Sequence, residues 1–361
     1  MNLKIKILML LVLALFFSCG GEKEKPLEKI KDTLAVKQNP LHLPDSVAAK
    51  MGNIKIDEDS VFLDFSFIAF DNFIVLSSEV DTVWAEGKPE GFMNGEGGVF
   101  AVVTEVNLKT LPKIYLDLLK KKIRVYSADN NYAAKITGFK LLSAYIPHFA
   151  EVQTWNGANG EAAYRTEQKN QAIWNNAALY LVAEFETDEK KNDDFYFAVP
   201  ENDSLPFLFS MSNKNPITKQ IKTLAAKTEE YKSIQQDYLQ GAANKKLNWN
   251  EDETASSEFI SFSGKDQIVY SVLSEVSGNP CGGDFSAEKF SIWKTTKDGK
   301  SVLLFMKDVF WKVLLCVDTD SDGIPEFLVE DNFGRRLLFK SVNGEWVEYL
   351  TWEIPYQDCG C

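Results

Sequence analysis

The sequence predicts a mainly β fold with some α structure, an α+β protein in two domains, and three observations lead there. Short runs of alternating apolar and polar residues recur along most of the chain, each bounded by Gly, Asn, Asp or Pro, as half-buried strands require. These runs follow one another through short turns instead of regular helices, which favours antiparallel pairing over a doubly wound parallel sheet. Only one long stretch, 215–241, places apolar residues at helical spacing over several turns. With 361 residues, 45 % of them hydrophobic and 12 % aromatic, the chain has material for more than one packed core.

The first element is an export signal over residues 1–18. Lys4 and Lys6 precede an uninterrupted apolar run from Ile7 to Phe17, followed by Ser18 and Cys19. A membrane-spanning helix needs about 20 apolar residues, and this run has the length of a signal-peptide core. The ending Phe16-Phe17-Ser18-Cys19 resembles a bacterial lipobox. That resemblance implies lipid chains on Cys19, which becomes the mature N-terminus. The protein is then expected on a bacterial membrane, the outer one, on its periplasmic or surface face, anchored without crossing. Residues 19–43 are rich in charge and helix breakers and read as a flexible tether.

Residues 44–210 are expected to form a β-rich N-terminal domain. Strand patterns cover 60–67, 72–78, 98–106, 122–127, 133–144, 177–185 and 195–199, and a short helix with Pro112 in its first turn covers 111–119. Two loops, 84–92 and 155–161, combine an aromatic residue with Gly, Asn and Glu. Their Trp84 and Trp155 mark candidate recognition loops for a glycan or protein partner, because an aromatic face beside amides and carboxylates suits a sugar ring or a peptide. The competing reading is a pair of glycine-rich turns with each Trp folded onto the core.

Residues 211–361 are expected to form a C-terminal domain, a long helix followed by an all-β unit. Asn215 is a good N-cap, Pro216 suits the first helical position, and Ile217, Ile221, Leu224, Tyr231, Ile234 and Tyr238 recur at helical spacing up to Gly241. Strand patterns then follow at 258–263, 267–274, 285–295, 301–306, 309–317, 326–330, 335–342 and 346–350.

Between the fifth and sixth of these runs lies the segment of most chemical content, Asp318-Thr-Asp320-Ser-Asp322-Gly323-Ile324-Pro-Glu326. Carboxylates at alternate positions of a tight loop converge on one point and repel unless a hard cation neutralises them. Oxygen donors with a glycine for the sharp turn are what Ca²⁺ favours. A helical EF-hand would need a bidentate glutamate at position 12, where this chain has Val329 inside a strand pattern. The loop instead resembles the calcium loops of integrin-type FG-GAP and related extracellular β-repeat proteins, set between two strands of one hairpin. By that resemblance the ligands are Asp318, Asp320, Asp322 and Glu326 through side chains and Ile324 through its carbonyl, holding one structural Ca²⁺. No second copy of the loop occurs in the chain, so a propeller-like array is not expected.

Four further cysteines, Cys281, Cys316, Cys359 and Cys361, fall near the C-terminal end, and an exported compartment permits disulfides. The expected bridge joins Cys281 to Cys359 or Cys361 and leaves Cys316 as a buried thiol. The net charge of −13, or −15 once Lys4 and Lys6 are removed, argues against nucleic acid as a partner, and no Lys/Arg cluster stands out. Of the two histidines, His42 lies in the tether and His148 stands beside Pro147 and Phe149; no nucleophile elbow or phosphate loop accompanies them. The reading that follows is a lipoprotein acting as a non-catalytic binding module. The alternative is a carboxylate-based hydrolase acting on polysaccharide or peptide.

Overall fold

A computed structural model describes residues 65–355, apart from 71, 95–97, 159–161, 188–193, 202–204, 213–216, 242–246, 264–266, 279–284 and 332–333. The export signal, Cys19 and the tether therefore lie outside the described residues, as do Cys281, Cys359 and Cys361. The described chain is mainly β, as expected. No helix among the described residues is long and apolar enough to cross a membrane.

The first eight strands are β1 (Ser66–Ala69), β2 (Phe73–Ser77), β3 (Ala85–Asn94), β4 (Phe100–Val106), β5 (Lys122–Tyr126), β6 (Asn131–Tyr145), β7 (Ala178–Thr187) and β8 (Phe197–Pro200). All pair antiparallel, in the order β3-β4-β6-β5-β8-β1-β2-β7. A further β6–β7 ladder, from Ala134↔Thr187 to Ala144↔Ala178, closes six of them into a barrel and leaves β4 and β3 as an extension. The 15-residue β6 makes this closure possible: one edge takes β5 and then β4 in succession, while the other runs along β7. Closure removes the edges that an open sheet of this size would expose.

Three helices interrupt these strands: α1 (Lys113–Leu116), which continues as a 3₁₀ turn over Asp117–Lys120, α2 (Phe149–Trp155) and α3 (Thr166–Asn176). The sequence signals helix only for the first. Helix α2 begins at His148, whose Nδ1 accepts the Ala150 N–H at 3.1 Å. Strand β3 was expected as a loop; Gly87, Pro89 and Gly91 break its apolar alternation, and its ladder to β4 has irregular register.

The remaining strands form two five-stranded antiparallel sheets. The first runs β10 (Ser210–Ser212), β11 (Ser256–Ser263), β12 (Val269–Gly278), β13 (Ser286–Thr295) and β14 (Ser301–Lys307). The second contains β15 (Lys312–Asp318), β16 (Glu326–Glu330), β17 (Arg336–Val342) and β18 (Glu345–Trp352), with β9 (Phe207–Leu208) on the far edge of β15. All eight strand patterns expected in this region form strands. The β17–β18 hairpin turns on Asn343-Gly344, both at positive φ, which is the preferred chemistry of a two-residue hairpin loop.

The two sheets face each other across an apolar layer that includes Phe262, Phe290, Trp311, Phe327 and Phe339. On the outer side of the first sheet, α4 (Thr218–Ala225) and α5 (Glu229–Gly241) pack Ile221, Ala225, Tyr231 and Tyr238 against Leu273 and Trp293. The one long helix expected over 215–241 is thus two helices. Thr228 separates them: its hydroxyl donates to the Ala225 carbonyl at 2.8 Å and accepts the Tyr231 N–H at 3.4 Å, so it ends one helix and caps the next. On the outer side of the second sheet, Leu315, Val317, Leu328 and Leu338 share a core with Phe65, Phe67, Tyr180 and Phe197 of the barrel. Arg336 fastens this contact, donating to Glu330 at 2.8 Å and to the Ile68 carbonyl at 2.5 Å. The order of layers is therefore helices, sheet, sheet, barrel.

Candidate metal centre

The acidic loop joins β15 to β16, where the ladder from Val313↔Val329 to Val317↔Glu326 ends. Its backbone is folded by its own carboxylates. Asp318 Oδ2 accepts the Gly323 N–H at 3.0 Å, Asp320 Oδ1 the Asp322 N–H at 3.3 Å, and Asp322 Oδ1 the Ile324 N–H at 2.7 Å. Ser321 and Gly323 take the left-handed conformation, with φ of 62° and 81°. The second needs no side chain, which explains glycine at loop position 6. These turns bring one oxygen each of Asp318, Asp320 and Asp322 within 4.8 Å of one another. Near a protein surface, two carboxylates that close repel by roughly 3 kcal/mol.

Asp318 is the unusual member. It is 1 % exposed, and its Oδ1 is buried without a hydrogen-bond partner. An unpaired carboxylate oxygen taken out of water costs more than a neutral polar atom would, and it is normally compensated by a cation or by donors. This donor set fits a hard divalent cation: three carboxylates converge, one oxygen among them lacks any partner, and no soft ligand takes part.

Glu326, the fourth expected side-chain ligand, lies outside the group of three converging carboxylates. Strand alternation is the reason. The Val317↔Glu326 pair sets Glu326 on the face of Val317, whereas Asp318, one residue on, belongs to the opposite face with Cys316. Glu326, also 1 % exposed, uses Oε2 to accept the Thr319 N–H at 2.7 Å and Oε1 to meet Lys340 Nζ at 3.3 Å. Burial pushes its carboxyl up, and the Thr319 N–H and the Lys340 charge only partly offset that. Lys340 also donates to Asp320 Oδ2 at 2.6 Å. Burial alone would raise the Asp320 carboxyl, yet the lysine outweighs it and holds the group below the usual range. Lys340, which no sequence motif singles out, thus neutralises the rim of the loop. Ile324 is held by its N–H, with its side chain 40 % exposed.

The other expected site residues are placed as follows. Cys316 is a free, fully buried thiol beside the loop, raised well above its ordinary pKa by burial and then by the charges of Glu326 and Asp318. A thiol so placed is inert. Trp155 is folded onto the core. It is 2 % exposed on α2, packed edge-on to Phe100 with ring centres 5.5 Å apart, because the segment before Gly157 is helical and turns the indole inward. Trp84 is half-buried in a 3₁₀ turn against Tyr115, at 5.9 Å, and the residues after it are strand β3. His148 is a helix cap, as described above.

Comparison with protein-family models, with curated proteins and with solved structures finds no match to this chain.

Proposed function

We propose that the protein is an exported lipoprotein, held at the outer membrane by lipid on Cys19, and that its β structure is a non-catalytic binding module stabilised by one calcium ion. The observation that carries the cation is the partnerless, buried Asp318 Oδ1 within 4.8 Å of carboxylate oxygens of Asp320 and Asp322. These three residues hold the ion, with the Ile324 carbonyl offered by the resemblance to FG-GAP loops. The ion supplies charge compensation and ties the β15–β16 turn together. Exported modules of this kind bind Ca²⁺ at about 10⁻⁴ to 10⁻³ M, so occupancy follows the medium. The partner is a protein or a glycan. The proposed division is into an N-terminal domain (44–210) and a C-terminal domain (211–361), although residues 207–210 pair with strands of the later sheets. Among the described residues no barrel strand pairs with a strand of the two later sheets, whose first strand begins at Phe207.

The cation is tested by calorimetric titration of wild type and Asp320→Ala with CaCl₂. Saturable binding of one ion, lost in the variant, is expected; no heat of binding in wild type at 10 mM CaCl₂ would remove the ion from the reading. The anchor is tested by labelling cells with radioactive palmitate: label on wild type and none on Cys19→Ala is expected.

A further inference from the structure

A groove of about 980 Å³ opens between α4, α5 and the 3₁₀ turn Trp249–Glu251, on the outer side of the first sheet. It is at the upper end of the roughly 300–1,000 Å³ range of small-molecule sites. Lys219, Lys222, Lys227 and Lys232 stand around it. Lys232 is paired with Glu229 at 2.6 Å, whereas the other three have no carboxylate partner among the described residues. In a chain of net charge −13, three unpaired ammonium groups at one groove run against the overall balance. Lys219 and Lys222 are like-charged neighbours at i,i+3 on α4, a mutually unfavourable spacing, although Lys222 also lies in the last turn, where the helix dipole favours a cation.

The floor has the opposite character. Glu275 is 1 % exposed, and its oxygens accept from Tyr231 Oη at 2.5 Å and Asn250 Nδ2 at 2.9 Å. Among the described residues only neutral groups donate to it, so the floor carries no cation and the lysines stand at the rim. The side chains of Thr223, Gln236, Asn248 and Glu251 also line the groove; the Thr223 hydroxyl donates to the Lys219 carbonyl at 2.7 Å and Asn248 Nδ2 to Glu251 at 2.8 Å, and the Gln236 amide and the Asn248 amide oxygen are offered to a ligand. A ligand that matches has a hydroxyl-rich body with acidic groups along one side.

We propose that this groove binds an acidic saccharide, with Lys219, Lys222 and Lys227 meeting its carboxylates and the amides of Gln236 and Asn248 meeting its hydroxyls. The proposal rests on the binding-module reading and names its ligand. It is independent of the calcium loop, which belongs to the other sheet.

The test is calorimetric titration of the full chain in neutral detergent with tetragalacturonate, with its methyl ester and with tetra-aspartate. Wild type, Lys219→Gln/Lys222→Gln/Lys227→Gln and the matching triple Lys→Arg variant are compared. Expected results are binding of tetragalacturonate alone, an affinity about tenfold lower in the Gln variant, and near-normal affinity in the Arg variant. The calcium titration is run on the same samples, so a lost metal response is told apart from a lost ligand. No binding of tetragalacturonate, equal binding by the Gln variant, or equally tight binding of tetra-aspartate or of the ester overturns the proposal.

Discussion

Replacing Asp318 by Asn separates what the carboxylate costs from what it is for. Without a cation, Asp318 holds a buried oxygen with no partner, beside two more carboxylates. The Asn amide oxygen still accepts the Gly323 N–H, and its amide N–H donates toward Asp320 and Asp322, so one repulsive contact becomes a hydrogen bond. Removing an unsatisfied buried group of this kind is worth about 1 kcal/mol or more. In calcium the order reverses. At 10 mM CaCl₂ and a Kd of about 10⁻⁴ to 10⁻³ M, wild type gains about 1.4–2.7 kcal/mol by mass action. For a folded body of about 300 residues the unfolding entropy is about 0.6 kcal/mol/K, so that gain raises Tm by about 2–4 °C. The assay is calorimetric unfolding of both proteins in EGTA and in 10 mM CaCl₂. In EGTA, Asp318→Asn is expected to unfold about 1–2 °C above wild type; in calcium, wild type rises and the variant does not. A variant that is less stable than wild type in EGTA, or that keeps the calcium shift, would refute the reasoning.

Other consequences follow from buried groups. Tyr126 is fully buried, and burial pushes its hydroxyl up to about 12, with Arg124 pulling slightly the other way. Because the folded value lies above the unfolded value near 10, the stability it contributes is present below pH 10 and lost as pH rises from 10 to 12. By linkage that is about 2–3 kcal/mol, and Tyr126→Phe is expected to flatten the alkaline limb of Tm against pH; an unchanged limb would count against it. Trp155→Ala should cost about 3–5 kcal/mol in urea unfolding, as for a buried aromatic, whereas a surface recognition residue would cost almost nothing. With the remaining cysteines replaced by Ser, Cys316 should react with a thiol reagent only at the rate of unfolding; fast labelling of the native chain would contradict its burial.

Much of the fold was legible because strands and turns are local chemistry. The apolar alternation of β11 to β18 and the Asn343-Gly344 turn announce themselves within a few residues, as does the Asp318, Asp320, Asp322, Gly323 spacing. In each case the side chains that matter are neighbours along the chain. Where the local signal is weak the expectation fails: β3 has glycines and a proline in place of alternation, α3 has almost no amphipathic stripe, and Thr228 interrupts an otherwise continuous helical period. What tertiary structure alone decided are relations between distant segments. Alternation says that β6 has two faces, but the pairing that closes the barrel, β6 with β7, depends on a partner some 40 residues away. The same holds for Trp155, whose composition suits a loop or a core and whose contacts with Phe100 and Tyr145 choose the core. Glu326 satisfies the spacing of a calcium loop, yet strand register turns it to Lys340. The lysines at 219, 222 and 227 make no conspicuous cluster in the sequence; the packing of α4 and α5 on the first sheet gathers them at one groove, because folding sums charge over space and not along the chain.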